Sequence, residues 1–194
     1  MHQMSGTKMR AKDSSSARRM RRRAALLLSA VSLAVILLSS AAYALNIECP
    51  SSFGGETCIG TDGADVMRGT HGLDSIVGLG GNDVIHGLGA PDRLTGDGNV
   101  AAPADDQLFG GNGPDDLVGG DGSDLLSGGD GEDAISADFL FSDGTDTVKG
   151  GPGHDTIRAA EGQRDIIDCG PGEDSVQFDA GLDFVKRCEI KEAL

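Results

Sequence analysis

The sequence predicts an all-β fold in which short parallel strands wind into a solenoid, and three observations support this prediction. Glycine provides 31 of the 194 residues, and all but one of these glycines follow residue 44. Aspartate recurs at intervals of nine residues, and an aliphatic residue follows each of these aspartates two positions later. Large aromatic side chains are scarce, with six Phe, one Tyr and no Trp. Glycine-rich turns around a thin aliphatic core account for all three features.

Residues 1–44 have the organisation of a secretory signal peptide. The basic run Arg18–Arg23 precedes an apolar stretch from Ala24 to Leu38, and small residues lead to Ala44. A charged region, an apolar region and a small-residue cleavage site follow one another in such signals. We expect cleavage after Ala44 and a secreted, extracellular, bacterial protein. The alternative is an uncleaved membrane anchor, since the apolar stretch approaches the ~20 residues that a span requires.

The chain after Ala44 is strongly acidic, with 30 Asp and Glu against eight Lys and Arg and a net charge of −22. A segment with this much negative charge repels phosphate backbones, which argues against a nucleic-acid partner. No further stretch is apolar enough to span a membrane. High charge with low hydrophobicity is typical of disorder, but here the acidic residues are regularly spaced rather than scattered.

Four cysteines all lie in the part that we expect to be exported. An even number after a secretory signal indicates disulfides, and three pairings are possible. We favour Cys49–Cys58 and Cys169–Cys188, because each pair flanks one end of the repetitive region. No C-x2-C spacing supports the alternative of a metal site at these cysteines.

Aspartates followed two positions later by an aliphatic residue divide residues 60–186 into 13 units. Nine of the 12 intervals between these aspartates are nine residues long. The exceptions, of 14, 13 and 10 residues, place inserts near 97–105 and 137–141. Ten units have glycine two residues before the aspartate. The aspartates are Asp65, Asp74, Asp83, Asp92, Asp106, Asp115, Asp124, Asp133, Asp146, Asp155, Asp165, Asp174 and Asp183.

Each unit is predicted to form a six-residue turn followed by a three-residue strand. Glycine in the first four positions permits the backbone geometry of a tight turn. The central strand residue is always aliphatic and points inward, while its neighbours point outward, as in Val66-Met67-Arg68. Two units form one coil of 18 residues, so 13 units predict about six coils stacked at the ~4.8 Å spacing of strands.

Three consecutive units show the pattern most clearly: Gly110–Val118, Gly119–Ser127 and Gly128–Ser136. They match G-G-x-G-x-D-x-U-x, where U is a large aliphatic residue, and the array resembles the RTX, or haemolysin-type calcium-binding, repeat family. The resemblance implies a right-handed parallel β-roll stacked on several calcium ions.

The chemistry of the units agrees with calcium. Stacked aspartates repel one another, whereas calcium takes six to eight oxygen ligands from carboxylates and carbonyls. In the family each ion lies between turns on the same edge, which implies that all 13 aspartates are ligands. The resemblance pairs Asp65 with Asp83, Asp74 with Asp92, Asp106 with Asp124, Asp115 with Asp133, and Asp165 with Asp183. It assigns carbonyl ligands to Gly110, Gly111, Gly113, Gly119, Gly120, Gly122, Gly128, Gly129 and Gly131. The alternative is that the aspartates are ordinary turn residues.

Some units depart from the family pattern. Thr61, Thr70, Leu79 and Leu88 replace the second glycine, and Ala90, Ala104 and Gln163 replace the fourth. We expect weak or no calcium binding at those turns. The two inserts are either bulged turns or breaks between separate stacks.

These observations predict a signal peptide (1–44), an N-terminal cap with Cys49–Cys58 (45–59), the repeat array (60–186) and a C-terminal cap (187–194). No H-E-x-x-H or G-x-S-x-G motif supports catalysis, so we expect no enzyme. We expect a calcium-binding protein that folds on extracellular calcium and serves as a structural or adhesive module with a cell-surface or matrix partner. The alternatives are a calcium-dependent carbohydrate or protein binder, or a calcium-dependent hydrolase.

Overall fold

The structure is a computed structural model that describes residues 45–49, 57–98, 103–137 and 144–194. These residues belong to one compact unit, 42–194. The predicted signal peptide and parts of both predicted inserts, 99–102 and 138–143, lie outside the described residues. Every regular element among the described residues is a β-strand, and no helix capable of crossing a membrane occurs among them.

Sixteen strands form two eight-stranded sheets. Sheet 1 contains, in order, β1 (Asn46–Glu48), β3 (Val66–Arg68), β5 (Val84–Gly89), β7 (Gln107–Asn112), β9 (Leu125–Asp130), β11 (Thr147–Lys149), β13 (Ile166–Asp168) and β15 (Phe184–Lys186). Sheet 2 contains, in order, β2 (Cys58–Ile59), β4 (Ser75–Leu79), β6 (Arg93–Asp97), β8 (Asp116–Val118), β10 (Ala134–Ser136), β12 (Thr156–Ala159), β14 (Ser175–Phe178) and β16 (Ile190–Ala193).

Successive strands alternate between the two sheets, and every pairing is parallel. Met67 lies opposite Ile85 in sheet 1, and Ile76 lies opposite Leu94 in sheet 2, each one coil further along the chain. The predicted all-β parallel solenoid is therefore confirmed. It has about seven coils instead of the six expected, because β1, β2 and β16 lie outside the 13 units and add strands at both ends.

The core is the double column of aliphatic side chains that the repeat predicts. Twelve of the 13 central strand residues, from Met67 to Val176, are at most 2% exposed. Val185 is partly buried and packs against the end of the core. The flanking residues Val66 and Arg68 point outward and are exposed. The alternation follows from the two-residue period of a strand.

Several strands are longer than the three residues expected. β5, β7 and β9 each contain six residues and extend into the following turn. The reason is that turn residues also pair from coil to coil, as Gly111 does with Gly129. Neither insert breaks the stack, since β5 pairs with β7 across the first and β9 pairs with β11 across the second.

Both predicted disulfides are confirmed. Cys49 and Cys58 have a Cα–Cα distance of 5.6 Å and link the end of β1 to the start of β2. Cys169 and Cys188 have a Cα–Cα distance of 5.2 Å and connect positions 19 residues apart, one more than a full coil. Each bridge lies near one end of the solenoid, where an outer coil has a neighbour on only one side.

Candidate metal sites

The repeat aspartates lie in two columns, one along each edge of the solenoid. Turns that lead from sheet 2 to sheet 1 carry Asp65, Asp83, Asp106, Asp124, Asp146, Asp165 and Asp183, which we call column 1. Turns that lead from sheet 1 to sheet 2 carry Asp74, Asp92, Asp115, Asp133, Asp155 and Asp174, which we call column 2. Each column is formed by every second unit, because one coil contains two turns.

A ladder of hydrogen bonds joins the aspartates within each column. The backbone N–H of each aspartate donates to Oδ1 of the aspartate in the next coil, over 2.7–2.9 Å. Leu45 donates to Asp65 at the start of column 1, over 3.1 Å. Glu189 accepts from Asp174 at the end of column 2, over 3.0 Å. One carboxylate oxygen of each aspartate is thus used by the fold itself.

The five aspartate pairs that the 18-residue coil implied are all neighbours in these columns. Six further neighbouring pairs were missed, because their separations are 23, 22 or 19 residues. These pairs span the inserts and the ten-residue unit. A fixed period could not reveal them, but a bulged turn lengthens the chain without changing the stack.

The second carboxylate oxygen is the feature that points to a cation. All the repeat aspartates except the last, Asp183, are at most 4% exposed. Oδ2 is buried and accepts no hydrogen bond from the described residues in Asp83, Asp92, Asp106, Asp115, Asp133, Asp155, Asp165 and Asp174. A buried carboxylate oxygen without a partner is costly unless a proton or a cation neutralises it.

These oxygens face a backbone carbonyl of the next coil across a space that glycine leaves open. A Cβ atom on Gly110 would collide with Oδ2 of Asp115 and would lie 2.6 Å from the carbonyl oxygen of Gly128. The two oxygens are therefore within about 5 Å of each other, which is the span of two ligands on opposite sides of one calcium ion. Eight further turns repeat this arrangement, and their first glycines are Gly60, Gly69, Gly78, Gly87, Gly96, Gly119, Gly128 and Gly150.

Burial changes the acidity of the columns. It raises the pKa of six carboxyl groups, to about 7 in Asp83 and Asp92 and to about 6 in Asp106, Asp115, Asp133 and Asp155. Desolvation is the main cause, and repulsion from the adjacent aspartates of the column adds to it for Asp83 and Asp92. Without a cation, the carboxyl groups of Asp83 and Asp92, with pKa values of about 7, would therefore be partly protonated near neutral pH, whereas a bound cation would replace those protons.

The turns that lack the second glycine fall into two classes. Thr61 and Thr70 donate both the backbone N–H and the hydroxyl to Oδ2 of Asp65 and Asp74, so the chain itself satisfies these oxygens. In the next two turns Leu79 and Leu88 make no such bond and have positive φ angles of 89°. The structure thus gives a physical reason to expect weak binding in the two threonine turns and in the last turn, where the backbone N–H of Asp179 donates to Oδ2 of Asp183 over 2.7 Å.

The sequence analysis missed two acidic residues near column 1. Asp97 is 4% exposed, accepts the backbone N–H of Asp121 through Oδ2, and leaves Oδ1 buried without a partner among the described residues. Burial raises the pKa of Asp97, and its charge in turn raises that of Asp106. Glu161 lies with Asp146 and Asp165 in a cluster whose ligand oxygens are within 4.8 Å of one another. Both residues lie in turns that deviate from the nine-residue spacing, which was the available signal.

The donors in the columns fit calcium. Unpartnered carboxylate oxygens, carbonyl oxygens and the absence of nitrogen or sulfur donors are what a hard divalent cation requires. Oδ1 of every repeat aspartate except Asp74 also accepts a hydrogen bond from the preceding coil, so cation binding and coil stacking involve the same side chains.

Comparison with known proteins agrees with this geometry. A search of curated proteins and a search of solved structures each find no match. The family model described as RTX calcium-binding nonapeptide repeat (4 copies) matches residues 59–94, 102–139 and 142–176. These matches cover more than half of the chain and nearly all of both columns. The chain therefore belongs to the RTX calcium-binding nonapeptide repeat family, whose repeats imply calcium binding.

Proposed function

We propose that this is a secreted protein that folds when calcium binds between the stacked turns of its two aspartate columns, and that it serves as a structural or adhesive module. The observation that carries the proposal is the buried Oδ2 of Asp115 and its equivalents, each opposite a carbonyl oxygen of the next coil. The 13 repeat aspartates are the proposed carboxylate ligands, with weak or no binding in the turns where the chain already satisfies Oδ2, and the first glycines of the turns provide carbonyls.

The energetics favour coupling between calcium binding and folding. A chain segment with a net charge of −22 repels itself, and its aliphatic core is only two side chains wide. Burying carboxylates adds a desolvation cost that hydrogen bonds to Oδ1 offset only in part. A divalent ion between two coils neutralises both aspartates and joins the coils. Its binding free energy then becomes folding free energy.

Secretion is supported by two independent features. The signal-like sequence of residues 1–44 directs export, and we propose cleavage after Ala44. Both disulfides suit an oxidising compartment. Extracellular calcium modules bind with dissociation constants of roughly 10⁻⁴–10⁻³ M, so the chain would remain expanded at low cytoplasmic calcium and fold after export. We propose that residues 45–59 and 187–194 cap the folded rod.

The repetitive, stacked fold supports the proposed structural or adhesive role. The repeat β-roll is a structural calcium-binding fold and is not typically catalytic. A calcium-stiffened rod suits attachment to a cell-surface or matrix partner. Two other roles use the same calcium sites: non-catalytic binding of a carbohydrate or protein, and calcium-dependent hydrolysis.

A calcium titration of residues 45–194, followed by far-UV circular dichroism, tests the proposal. We expect a transition from coil to β-structure near millimolar calcium and no transition with magnesium, which prefers a smaller octahedral site. A spectrum that is already rich in β-structure in chelator, and that calcium leaves unchanged, would contradict ion-coupled folding.

The same sample distinguishes the biological roles. Calcium-dependent self-association in sedimentation experiments would favour the structural role. A monomer that binds a glycan or protein array only with calcium would favour the binding role, and turnover of a substrate panel would favour the hydrolase.

A further inference from the structure

One group of acidic side chains in column 1 differs from all the turns that follow the repeat pattern. Asp146, Glu161 and Asp165 each offer a carboxylate oxygen, and the three oxygens lie within 4.8 Å of one another. No other group of three acidic, histidine or cysteine side chains converges in this way among the described residues. Two of the three are repeat aspartates, whereas Glu161 lies four residues before Asp165, at a position that is Gly, Thr or Leu in most other units and acidic again at Asp179.

The cluster lies between two adjacent coils. Asp165 and Glu161 belong to the turn between β12 and β13, and Asp146 precedes β11 one coil earlier. The backbone N–H of Asp146 donates to Oδ1 of Asp165 over 2.8 Å, which holds the two turns together. The next coil holds the same turn from the other side, since Gly162 donates to Asp179 over 2.6 Å. The position of Glu161 is thus fixed by neighbours on both sides.

The burial of Asp165 is a second, independent observation that points to a cation at this cluster. The Asp165 side chain is 0% exposed, and its Oδ2 accepts no hydrogen bond from the described residues. A buried anionic oxygen next to two further carboxylates is strongly unfavourable unless a cation lies among them. Donor oxygens up to about 5 Å apart fit around one calcium ion, whose ligand distances are 2.3–2.6 Å.

We propose that Glu161 completes a three-carboxylate calcium site with Asp146 and Asp165, and that this site fills at lower calcium than the two-carboxylate turns. The inference rests on the proposed calcium binding and adds a ligand outside the nonapeptide pattern. Affinity at oxygen sites rises with the number of charged ligands, and among the described residues three carboxylates converge only here. The turn that has Gln163 in place of glycine, where the sequence predicted weak binding, then becomes the tightest site of the array.

Equilibrium dialysis of the full chain against buffered calcium, with the number of bound ions counted at each free concentration, tests this site. The variant is Glu161→Gln, and the matched control is Glu132→Gln, which neutralises an exposed glutamate beside a column 2 aspartate. In the wild-type chain we expect one ion to bind at a free calcium on the order of tenfold below the others. Glu161→Gln should lose that early ion, whereas Glu132→Gln should retain it.

The outcomes separate the two proposals. A wild-type chain that binds no calcium would overturn both. Calcium binding that is identical in Glu161→Gln and Glu132→Gln would overturn only the three-carboxylate site. If Glu161→Gln gives no β-structure at any calcium concentration, Glu161→Asp replaces it as the test. That variant keeps the negative charge but shortens the side chain by one methylene. Binding of the first ion at a higher free calcium concentration would support the site, and an unchanged concentration would contradict it.

Discussion

Thr70 donates two hydrogen bonds to a single carboxylate oxygen, Oδ2 of Asp74: one from its backbone N–H over 2.6 Å and one from its hydroxyl over 3.0 Å. In later turns such as that of Asp115, the equivalent oxygen is buried without a partner among the described residues. The array therefore begins with turns in which a threonine satisfies Oδ2 of the aspartate, although Oδ1 of Asp74 is buried without a partner among the described residues, and continues with turns that leave Oδ2 for a cation. Substitutions in the threonine turns should therefore change mainly the stability of the fold, and substitutions in the later turns should change calcium binding.

Thr70→Ala should lower stability without changing the calcium count. The substitution removes the hydroxyl's hydrogen bond to a buried carboxylate and the one that the hydroxyl accepts from the Gly72 N–H, which together cost about 1–3 kcal/mol, while the Thr70 N–H still holds Oδ2. Denaturant unfolding in saturating calcium measures the loss, and Thr156→Ala on the exposed face of β12 is the control. A change in the number of bound ions would show that the threonine turn is itself a calcium site.

Asp133→Asn and Asp130→Asn make a matched test of the columns. Both aspartates belong to the same turn and both variants remove one negative charge, but Asp133 is buried and Asp130 is exposed. Asp133→Asn should raise the calcium concentration at the folding midpoint roughly tenfold, because it removes an anionic ligand between two coils. Asp130→Asn should leave the midpoint within about twofold, since an exposed charge is screened by solvent.

Equal shifts in the two variants would contradict the assignment of Asp133 as a ligand. Equal shifts would indicate that calcium is attracted by the overall negative charge of the array and is not bound at defined sites. Circular dichroism at a series of buffered calcium concentrations gives both midpoints.

Acidification should substitute for calcium in part. The folded-state pKa values of Asp83 and Asp92 are raised to about 7, whereas an unfolded aspartate titrates near 3.8. Above pH 3.8 the folded chain therefore binds more protons than the unfolded chain, so its stability falls as pH rises towards 7. Hydrogen bonds from Arg187 lower the pKa of Asp168, so this group makes the folded state less stable as pH falls. That loss occurs only below the pH at which an ordinary aspartate titrates, and therefore outside the range tested here.

In calcium-free buffer, β-structure should increase as pH falls from 8 to 5. Far-UV circular dichroism over this range measures the change. The free calcium concentration that half-saturates the sites, measured by equilibrium dialysis, should rise over the same interval because protons compete for the carboxylates. A calcium-free chain with the same spectrum at pH 8 and pH 5 would show that the buried aspartates do not control folding.

Gly111→Ala should destabilise the array, whereas Gly72→Ala should not. Gly111 has a φ of 115° and its added Cβ would lie within 3.0 Å of three Leu88 backbone atoms in the preceding coil. Gly72 has no such restriction, and an added Cβ would lie 3.5 Å from its nearest neighbour, Oγ1 of Thr70. We expect a loss of about 1–3 kcal/mol for Gly111→Ala in calcium-saturated denaturant unfolding. Equal stability of the two variants would contradict the close stacking of these turns.

The sequence was sufficient for the coil, the sheets and the core, because aspartate and aliphatic residues keep a fixed relation in every unit. It also predicted Cys169–Cys188, since a separation of 19 residues is close to one coil. It underestimated the length of the solenoid, because β1 and β16 carry no repeat signal and are recruited by pairing with β3 and β14.

The site was less predictable than the fold. A periodic pattern reveals Asp115 but not Asp97 or Glu161. The positions of these two side chains depend on how an irregular turn packs between the adjacent coils. The pattern also gave no reason to separate Thr70 from Leu88, since both replace glycine. Only the three-dimensional contacts show that the threonine caps its aspartate and the leucine does not.

The most direct test of calcium-stacked coils is a crystal structure of the calcium-loaded chain with anomalous difference density for the ions. We expect peaks between successive aspartates of both columns, each within about 2.6 Å of a carboxylate Oδ2 and a carbonyl oxygen of the adjacent coil. The turns of Asp65 and Asp74 should lack peaks. A folded solenoid with no peaks in the columns, or with ions only on the outer faces of the sheets, would contradict the account.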